Sequence, residues 1–156
     1  LNENSTGHHN LMGLILESKR DLAGSERQLR RAVELDPDYG GVLANLGSLL
    51  ARTGRTQEAI QVLTRAVDKE PGNYEARMNL GAALGKAGRH QEAIDQFEEA
   101  RKRGFRSPTL YNGLAIAYHE TGQLQKCEES LKESLALDPN QPQVRAILAE
   151  VQGQKS

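Results

Sequence analysis

The chain has 156 residues, enough for one domain of ordinary size, and its 37% of hydrophobic residues include two Phe, four Tyr and no Trp. This composition favours a layered structure with many small interior contacts over a single globular core, which usually carries more large apolar side chains. A net charge of −1 gives no electrostatic argument for nucleic acid or an anionic membrane as a partner, and the longest apolar run, residues 11–16, is too short to span a bilayer.

A 34-residue period runs through the sequence from its first predicted helix onwards. Its clearest marker is a large apolar residue followed by Gly or Ala, at Met12-Gly13, Leu46-Gly47, Leu80-Gly81, Leu114-Ala115 and Leu148-Ala149. The same step links the small residues Ala32, Ala66, Ala100 and Ser134, and the prolines Pro37, Pro71 and Pro139. The period predicts four units without insertions, starting at Thr6, Gly40, Tyr74 and Pro108, and a half-unit starting at Pro142.

Each unit is predicted to contain two helices. In the second unit Leu43, Leu46 and Leu50 lie on one stripe of the first helix, because they are three and four residues apart. A glycine is predicted to end this helix in a left-handed C-cap, at Gly54, Gly88 and Gly122 of successive units, whereas the first unit has Arg20 there. The second helix of this unit is predicted to stop before Pro71, since proline cannot continue the helical hydrogen bonds.

Small residues are predicted at the contacts between helices. Gly47 and Ala59 would let the two helices of a unit approach closely, and Ala66 would let the next unit dock. Cys127 occupies the place that Ala59 has in the second unit, so it is interpreted as a packed thiol and not as a reactive one.

The Leu-Gly pair, the turn glycine, the alanines and the proline, at fixed places in 34 residues, resemble the tetratricopeptide repeat over roughly residues 6–152. The resemblance implies an all-α fold, a right-handed α-solenoid of four tetratricopeptide helix pairs plus a C-terminal capping helix. In such an array the first helices line a concave groove. The implied division is 1–5 as the end of an upstream repeat or linker, 6–39, 40–73, 74–107 and 108–141 as four repeats, 142–152 as the capping helix and 153–156 as a polar tail.

The two ends of the sequence differ in character. Leu1 aligns with the end of a second helix one period later, so we expect the natural protein to continue upstream with further repeats. Residues 142–152 are apolar on one face only, which is what a terminal capping helix requires, and we expect a true C-terminus here. The apolar face of the capping helix is predicted to comprise Val144, Ile147, Leu148 and Val151. At the upstream edge, exposed Leu11 and Leu14 would allow self-association.

Asn45 and Asn79 occupy the same place in successive units, on the face of the first helix that the helix pair does not need for packing. A primary amide carries both donors and an acceptor, so a repeated asparagine can bind an extended peptide backbone without reading its side chains. The tetratricopeptide arm of O-GlcNAc transferases has a similar asparagine ladder. The alternative is that both amides face solvent or bond to neighbouring helices within the array.

Further residues on this face are predicted to contact a ligand. Asn10 and Asn112 precede the asparagine position by one residue and would lie at the edges of the groove. Small residues such as Ala44 would leave room for the ligand. The remaining predicted contacts are Ser48, Met78, Ala82, Arg52, Lys86, Ile116 and His119.

No set of residues in the sequence supports catalysis, a cofactor or a bound metal. The common phosphate-binding, dinucleotide-binding, serine-hydrolase and zinc-protease motifs are missing, and the adjacent His8 and His9 have no cysteine or carboxylate neighbours. A group of arginines in the first unit is interpreted as a solvated face, comprising Arg20, Arg27, Arg30 and Arg31.

The sequence therefore predicts a non-enzymatic scaffold that binds a peptide segment or a partner protein in the concave groove. The alternative is a substrate-recognition arm of a larger enzyme, for example a glycosyltransferase, whose catalytic domain lies outside this chain. The single cysteine excludes an internal disulfide framework and leaves the compartment open, with the cytoplasm mildly favoured.

Overall fold

Nine α-helices and no strand are present in residues 4–153, the part of the chain that the computed structural model describes. The all-α prediction is confirmed. The helices are α1 Thr6–Ser18, α2 Leu22–Leu35, α3 Gly40–Arg52, α4 Thr56–Lys69, α5 Tyr74–Lys86, α6 His90–Lys102, α7 Pro108–Glu120, α8 Leu124–Leu137 and α9 Pro142–Gly153. The predicted upstream repeat end falls partly, and the polar tail almost wholly, outside the described residues.

Local capping residues explain where several helices begin. The Ser5 side chain accepts a hydrogen bond from the His8 backbone N–H at the start of α1, and Ser107 caps α7 in the same way through the N–H of Leu110. These bonds satisfy backbone donors that have no partner in the first turn of a helix. Pro108 follows its cap as the first residue of α7, a position where its missing N–H costs nothing.

The first helix of each of the four repeats is followed by a residue in the left-handed backbone conformation. Gly54, Gly88 and Gly122 have φ angles of 84°, 76° and 71°, as the sequence predicts. The first unit has Arg20 at this place, and its φ of 63° falls in the same region. The turn is closed by the same hydrogen bonds in both cases: Asp21 N–H donates to Leu16 C=O at 2.9 Å, as Arg55 N–H does to Leu50 C=O.

The chain divides into two compact units, Leu1–Ala83 and Leu84–Ser156. In the first, α1 packs on α2, α2 on α3 and α3 on α4. Leu29, Leu43 and Leu63 are fully buried there. Gly47 lies against α4 so closely that an added Cβ would be 2.5 Å from the Leu63 Cγ, which confirms the predicted close approach and makes Leu63 its main partner. Ala59 is also fully buried.

In the unit Leu84–Ser156, α6 packs on α7, α7 on α8 and α8 on α9. Leu110 and Leu114 from α7 form a core with Leu131 from α8. Helix α9 adds Val144 and Val151, the two residues of that helix that are buried. The two valines are seven residues, or about two helical turns, apart. Helix α9 therefore packs on the rest of this unit along a narrow stripe.

Candidate functional site

The neighbouring first helices α1 and α3 are joined by two side-chain pairs. The Asn45 Nδ2 donates a hydrogen bond to the Asn10 Oδ1 at 2.8 Å, and two turns further along Arg52 forms an ion pair with Glu17. Both pairs join residues 35 positions apart. One N–H of the Asn45 amide is therefore used within the array. The Asn45 carbonyl oxygen and the Asn10 NH2 group take no part in this hydrogen bond.

Not every residue predicted to line the groove is exposed to a ligand. Ala44 is 5% exposed and belongs to the core, so the expectation that it leaves room for a ligand is wrong. The reason is its place on the helix, because position 44 adjoins the buried residues Val42 and Leu43 of α3. Ser48, in contrast, is half-buried.

Helix α5 carries four of the residues predicted to contact a ligand. Met78 and Asn79 are half-buried, whereas Ala82 and Lys86 are exposed. Met78, Ala82 and Lys86 follow one another at intervals of four residues, so they share one stripe of this helix.

A cleft of about 560 Å³ opens between α7 and α9, with α8 at its base; we call it the α7–α9 cleft. It brings together three residues predicted from the sequence: Asn112, Ile116 and His119. Its apolar lining comprises Ala115, Ile116, Leu131, Val144, Ile147 and Val151, with the buried Cys127. Its polar lining comprises Asn112, Asn140, Gln141, Gln143, His119, Glu120 and Glu150.

Two isoleucines expose the apolar surface of this cleft. Ile116 of α7 is 63% exposed and Ile147 of α9 is 44% exposed. Exposed single apolar residues are common on proteins, but here the two belong to facing helices and to one concavity. The pair therefore forms an apolar patch inside a cleft, which is the usual setting for a binding site.

A chain of amides at one end of the cleft has a fixed direction. The Gln141 Nε2 donates to the backbone carbonyls of Ser134 at 3.1 Å and Asp138 at 2.9 Å, so its Oε1 is left to accept hydrogen bonds. That oxygen accepts a hydrogen bond from the Asn112 Nδ2 at 2.9 Å. The Asn112 Oδ1 is then left buried, with no hydrogen-bond partner among residues 4–153.

The opposite end of the cleft is acidic. Glu120 and Glu150 are exposed there, and the His119 Nδ1 lies 3.7 Å from the Glu120 Oε1. Neither carboxylate is paired with Lys or Arg within the described part of the chain. The cleft therefore changes along its length from neutral amides to carboxylates.

Two arginines of the first repeat, Arg30 and Arg31, are paired with carboxylates and do not add to a free basic patch. Glu26 and Glu58 each bond to both Arg30 and Arg55, in a closed network between α2 and α4. Burial raises the pKa of the Glu26 carboxyl, but hydrogen bonds from both arginines outweigh it and hold the pKa below its ordinary value. The hydrogen bond from Arg30 lowers the pKa of Glu58.

A second hollow, of about 860 Å³, lies between α6, α7 and α8 and has a different character. Two of its charged side chains are paired with each other: Glu98 accepts a hydrogen bond from the Tyr118 hydroxyl at 2.7 Å and also forms an ion pair with Arg101. Burial, together with this bond to Glu98, raises the pKa of the Tyr118 phenol. The hollow is mixed in charge and mostly polar, so it is a weaker candidate than the α7–α9 cleft.

Other functional possibilities find no support in residues 4–153. No group of three or more His, Cys, Asp or Glu side chains there is arranged to hold a metal ion. No helix of this range has the length and apolar character needed to cross a membrane.

Sequence reasoning missed the contribution of α9 to the cleft. Ile147 was assigned to the packed face of a capping helix, and Gln141 and Glu150 were given no role. The sequence did contain a signal for Ile147. Val144 and Val151 are seven residues apart and so share one line along α9, whereas Ile147 lies to one side of that line.

Solved structures similar to this chain are helical-repeat proteins. MamA from Desulfovibrio magneticus RS-1 is 21% identical, with a TM-score of 0.88 over 96% of this chain and 85% of that one. A further MamA structure is 22% identical, with a TM-score of 0.90 over 99% and 84%. YrrB, described as a TPR protein with an unusual peptide-binding site, is 18% identical, with a TM-score of 0.82 over 94% and 75%. At these identities the likeness concerns the fold.

Sequence comparison identifies the family. No curated protein sequence matches the chain. Two sequence models of the tetratricopeptide repeat do match, one over residues 10–74 and 45–105 and the other over residues 84–151. Because these matches extend over most of the chain and agree with its helix pairs, the chain belongs to the tetratricopeptide repeat family.

Proposed function

We propose that this chain is a protein-interaction scaffold that binds a peptide segment of its partner in the α7–α9 cleft. Membership of the tetratricopeptide repeat family supports a scaffold role. The fold similarity to YrrB, a protein described as having a peptide-binding site, supports a peptide as the ligand. We assign no catalytic role to any residue, and no observation favours a substrate-recognition arm of an enzyme.

The observation that carries this proposal is the exposure of Ile116 within the cleft, at 63%. Burying an isoleucine side chain stabilises a complex by about 1.5–3 kcal/mol, so a partner that covers Ile116 gains a substantial part of its binding energy there. The cleft volume of about 560 Å³ is typical of a site for a few side chains.

The remaining predicted contacts lie outside this cleft and are proposed separately, as further contact residues of the scaffold. On α1 and α3 these are Asn10, Asn45, Ser48 and Arg52, and on α5 they are Met78, Asn79, Ala82 and Lys86. The bond between Asn45 and Asn10 supports the alternative that Asn45 links helices, so Asn45 would offer a peptide its carbonyl oxygen and one N–H instead of two. Asn79 is therefore the better of the two asparagines for a backbone contact.

A selection from an unbiased peptide library tests the proposal. A phage-displayed library of random dodecamers is selected on the immobilised chain. The enriched peptides are synthesised, and their dissociation constants are measured by fluorescence anisotropy. Ile116→Asp should weaken binding by about tenfold or more, because it removes a buried apolar contact and buries a charge in its place.

Leu137→Asp provides the matched control, since Leu137 is 48% exposed on α8 and does not line the cleft. It should leave the affinity unchanged, and circular dichroism should show both variants fully helical. Failure of the selection to enrich any peptide, or equal losses in the two variants, would refute the proposed binding site.

A further inference from the structure

We infer that the peptide held by the α7–α9 cleft is basic and apolar, with a bulky apolar side chain and a Lys or Arg two residues apart. The inference rests on the proposed function and adds the chemical class of the ligand. It follows from how the lining of the cleft changes along the helix axes.

The cleft has a defined polarity. The hydrogen bond from Asn112 Nδ2 to Gln141 Oε1, at 2.9 Å, brings the N-terminal turns of α7 and α9 together at one end. Ile116 and Ile147 follow in the middle of the two helices, and Glu120 and Glu150 come near their C-terminal ends. A ligand along the cleft therefore meets amides, then isoleucines, then carboxylates.

The acidic end attracts a cation for two independent reasons. Glu120 and Glu150 supply two negative charges, and the lining contains no Lys or Arg to balance them. The C-terminal ends of helices also carry partial negative charge from unpaired carbonyl groups, which favours a cation nearby. By contrast, several carboxylates elsewhere in the same unit are paired with basic side chains, for example Glu92 with Arg89 and Glu128 with Lys132.

The spacing of the ligand residues follows from helix geometry. Ile116 and Glu120 are four residues apart on α7, a rise of about 6 Å along its axis. An extended peptide advances by about 3.3 Å per residue, so two of its residues cover the same distance. Residues i and i+2 of an extended peptide also point to the same side, so both the apolar and the basic side chain can face the cleft.

The amide end fits the rest of such a peptide. Gln143 and Asn140 present uncharged donors and acceptors there, and the Asn112 Oδ1 has no partner among the described residues. Neutral amides can bond to peptide backbone groups of any sequence. We therefore place sequence selectivity at the isoleucines and the carboxylates.

The test uses the peptides enriched from the random library and the double variant Glu120→Gln/Glu150→Gln. Enriched peptides should share an apolar residue and a Lys or Arg two positions apart. The double variant should weaken their binding by about three- to tenfold in 50 mM NaCl, and less in 500 mM NaCl, because exposed charge pairs are modest and are screened by salt. Glu129→Gln/Glu133→Gln, which removes two exposed carboxylates of α8 outside this cleft, should leave affinity unchanged.

The outcomes separate this inference from the proposed function. Peptides that bind and lose affinity in Ile116→Asp, but have no basic residue and tolerate the Glu120/Glu150 double variant, would overturn the inference and leave the proposed function intact. An absence of enriched peptides would overturn both. Concentration-dependent self-association in analytical ultracentrifugation that Ile116→Asp abolishes would identify a second copy of the chain as the occupant, which also overturns the inference.

Discussion

Arg20 has a φ of 63°, in the region that glycine occupies at the equivalent turns of Gly54, Gly88 and Gly122. A residue with a Cβ atom is strained there, because the Cβ crowds the following carbonyl oxygen. Arg20 nevertheless makes the hydrogen bonds of the motif, its N–H donating to Glu17 C=O at 2.9 Å. The packing of α1 on α2 thus imposes the turn on a residue that does not favour it.

Arg20→Gly should therefore raise the free energy of unfolding by about 0.5–1 kcal/mol. This is the difference between two effects: glycine relieves the left-handed strain, but it also increases the conformational entropy of the unfolded chain. Urea denaturation followed by circular dichroism measures this change. Lys19→Gly is the matched control, since Lys19 precedes Arg20 with a φ of −84° and should lose stability on the same substitution. A loss of stability in both variants would contradict the strain at Arg20.

At the same scale, some residues could be predicted from the sequence and others could not. The left-handed glycines could be, because one residue type has the required φ at low cost. The bond between Asn45 and Asn10 could not, because the 34-residue step aligns Asn45 with Leu11 and the actual partner is one residue away. Which neighbour a side chain reaches depends on the offset between adjacent helices, and the period does not contain that offset.

Among the helices, the α3–α4 contact depends on a glycine. A Cβ at position 47 would lie 2.5 Å from the Cγ of Leu63, whose side chain is fully buried. Gly47→Ala should lower the free energy of unfolding by about 1–2 kcal/mol, because overpacking costs more than the roughly 1 kcal/mol that alanine gains in helix propensity. Thermal and urea denaturation both measure this.

Gly85 provides the comparison for that prediction. It lies in α5, and a Cβ there would meet nothing within 4 Å. Gly85→Ala should therefore raise the free energy of unfolding by about 1 kcal/mol, since only the helix propensity changes. If Gly47→Ala proved as stabilising as Gly85→Ala, the close approach of α3 and α4 would not be a constraint on this fold.

The elements themselves were largely predictable, but the cleft between them was not. Apolar spacing, turn glycines and prolines indicate nine helices, each a local property of the chain. The cleft depends on how α9 is rotated on α8. Val144 and Val151 are buried, whereas Ile147 lies about 40–60° round the helix from them and stays 44% exposed. A sequence pattern identifies an apolar stripe, but not which edge of the stripe the neighbour covers.

Across the whole molecule, burial is uneven because each helix in a unit packs mainly on its sequence neighbours. Helix α3 buries eight residues, whereas α1 in the same unit buries one, Gly13. In the other unit α7 buries six residues and α9 two. In helical-repeat proteins stability is approximately a sum over repeats and the contacts between neighbours, so elements with few buried residues open at lower free energy.

Hydrogen exchange followed by mass spectrometry should therefore show a gradient within each unit. Amides of α1 should exchange faster than those of α3, and amides of α9 faster than those of α7, because local opening exposes less apolar surface in α1 and α9. A peptide bound in the α7–α9 cleft should slow exchange in α9, by stabilising the closed form of that helix, and should leave α1 unchanged. Equal protection of α1 and α3 in the free chain would contradict the gradient, and a bound peptide that protected α1 but not α9 would contradict binding in this cleft.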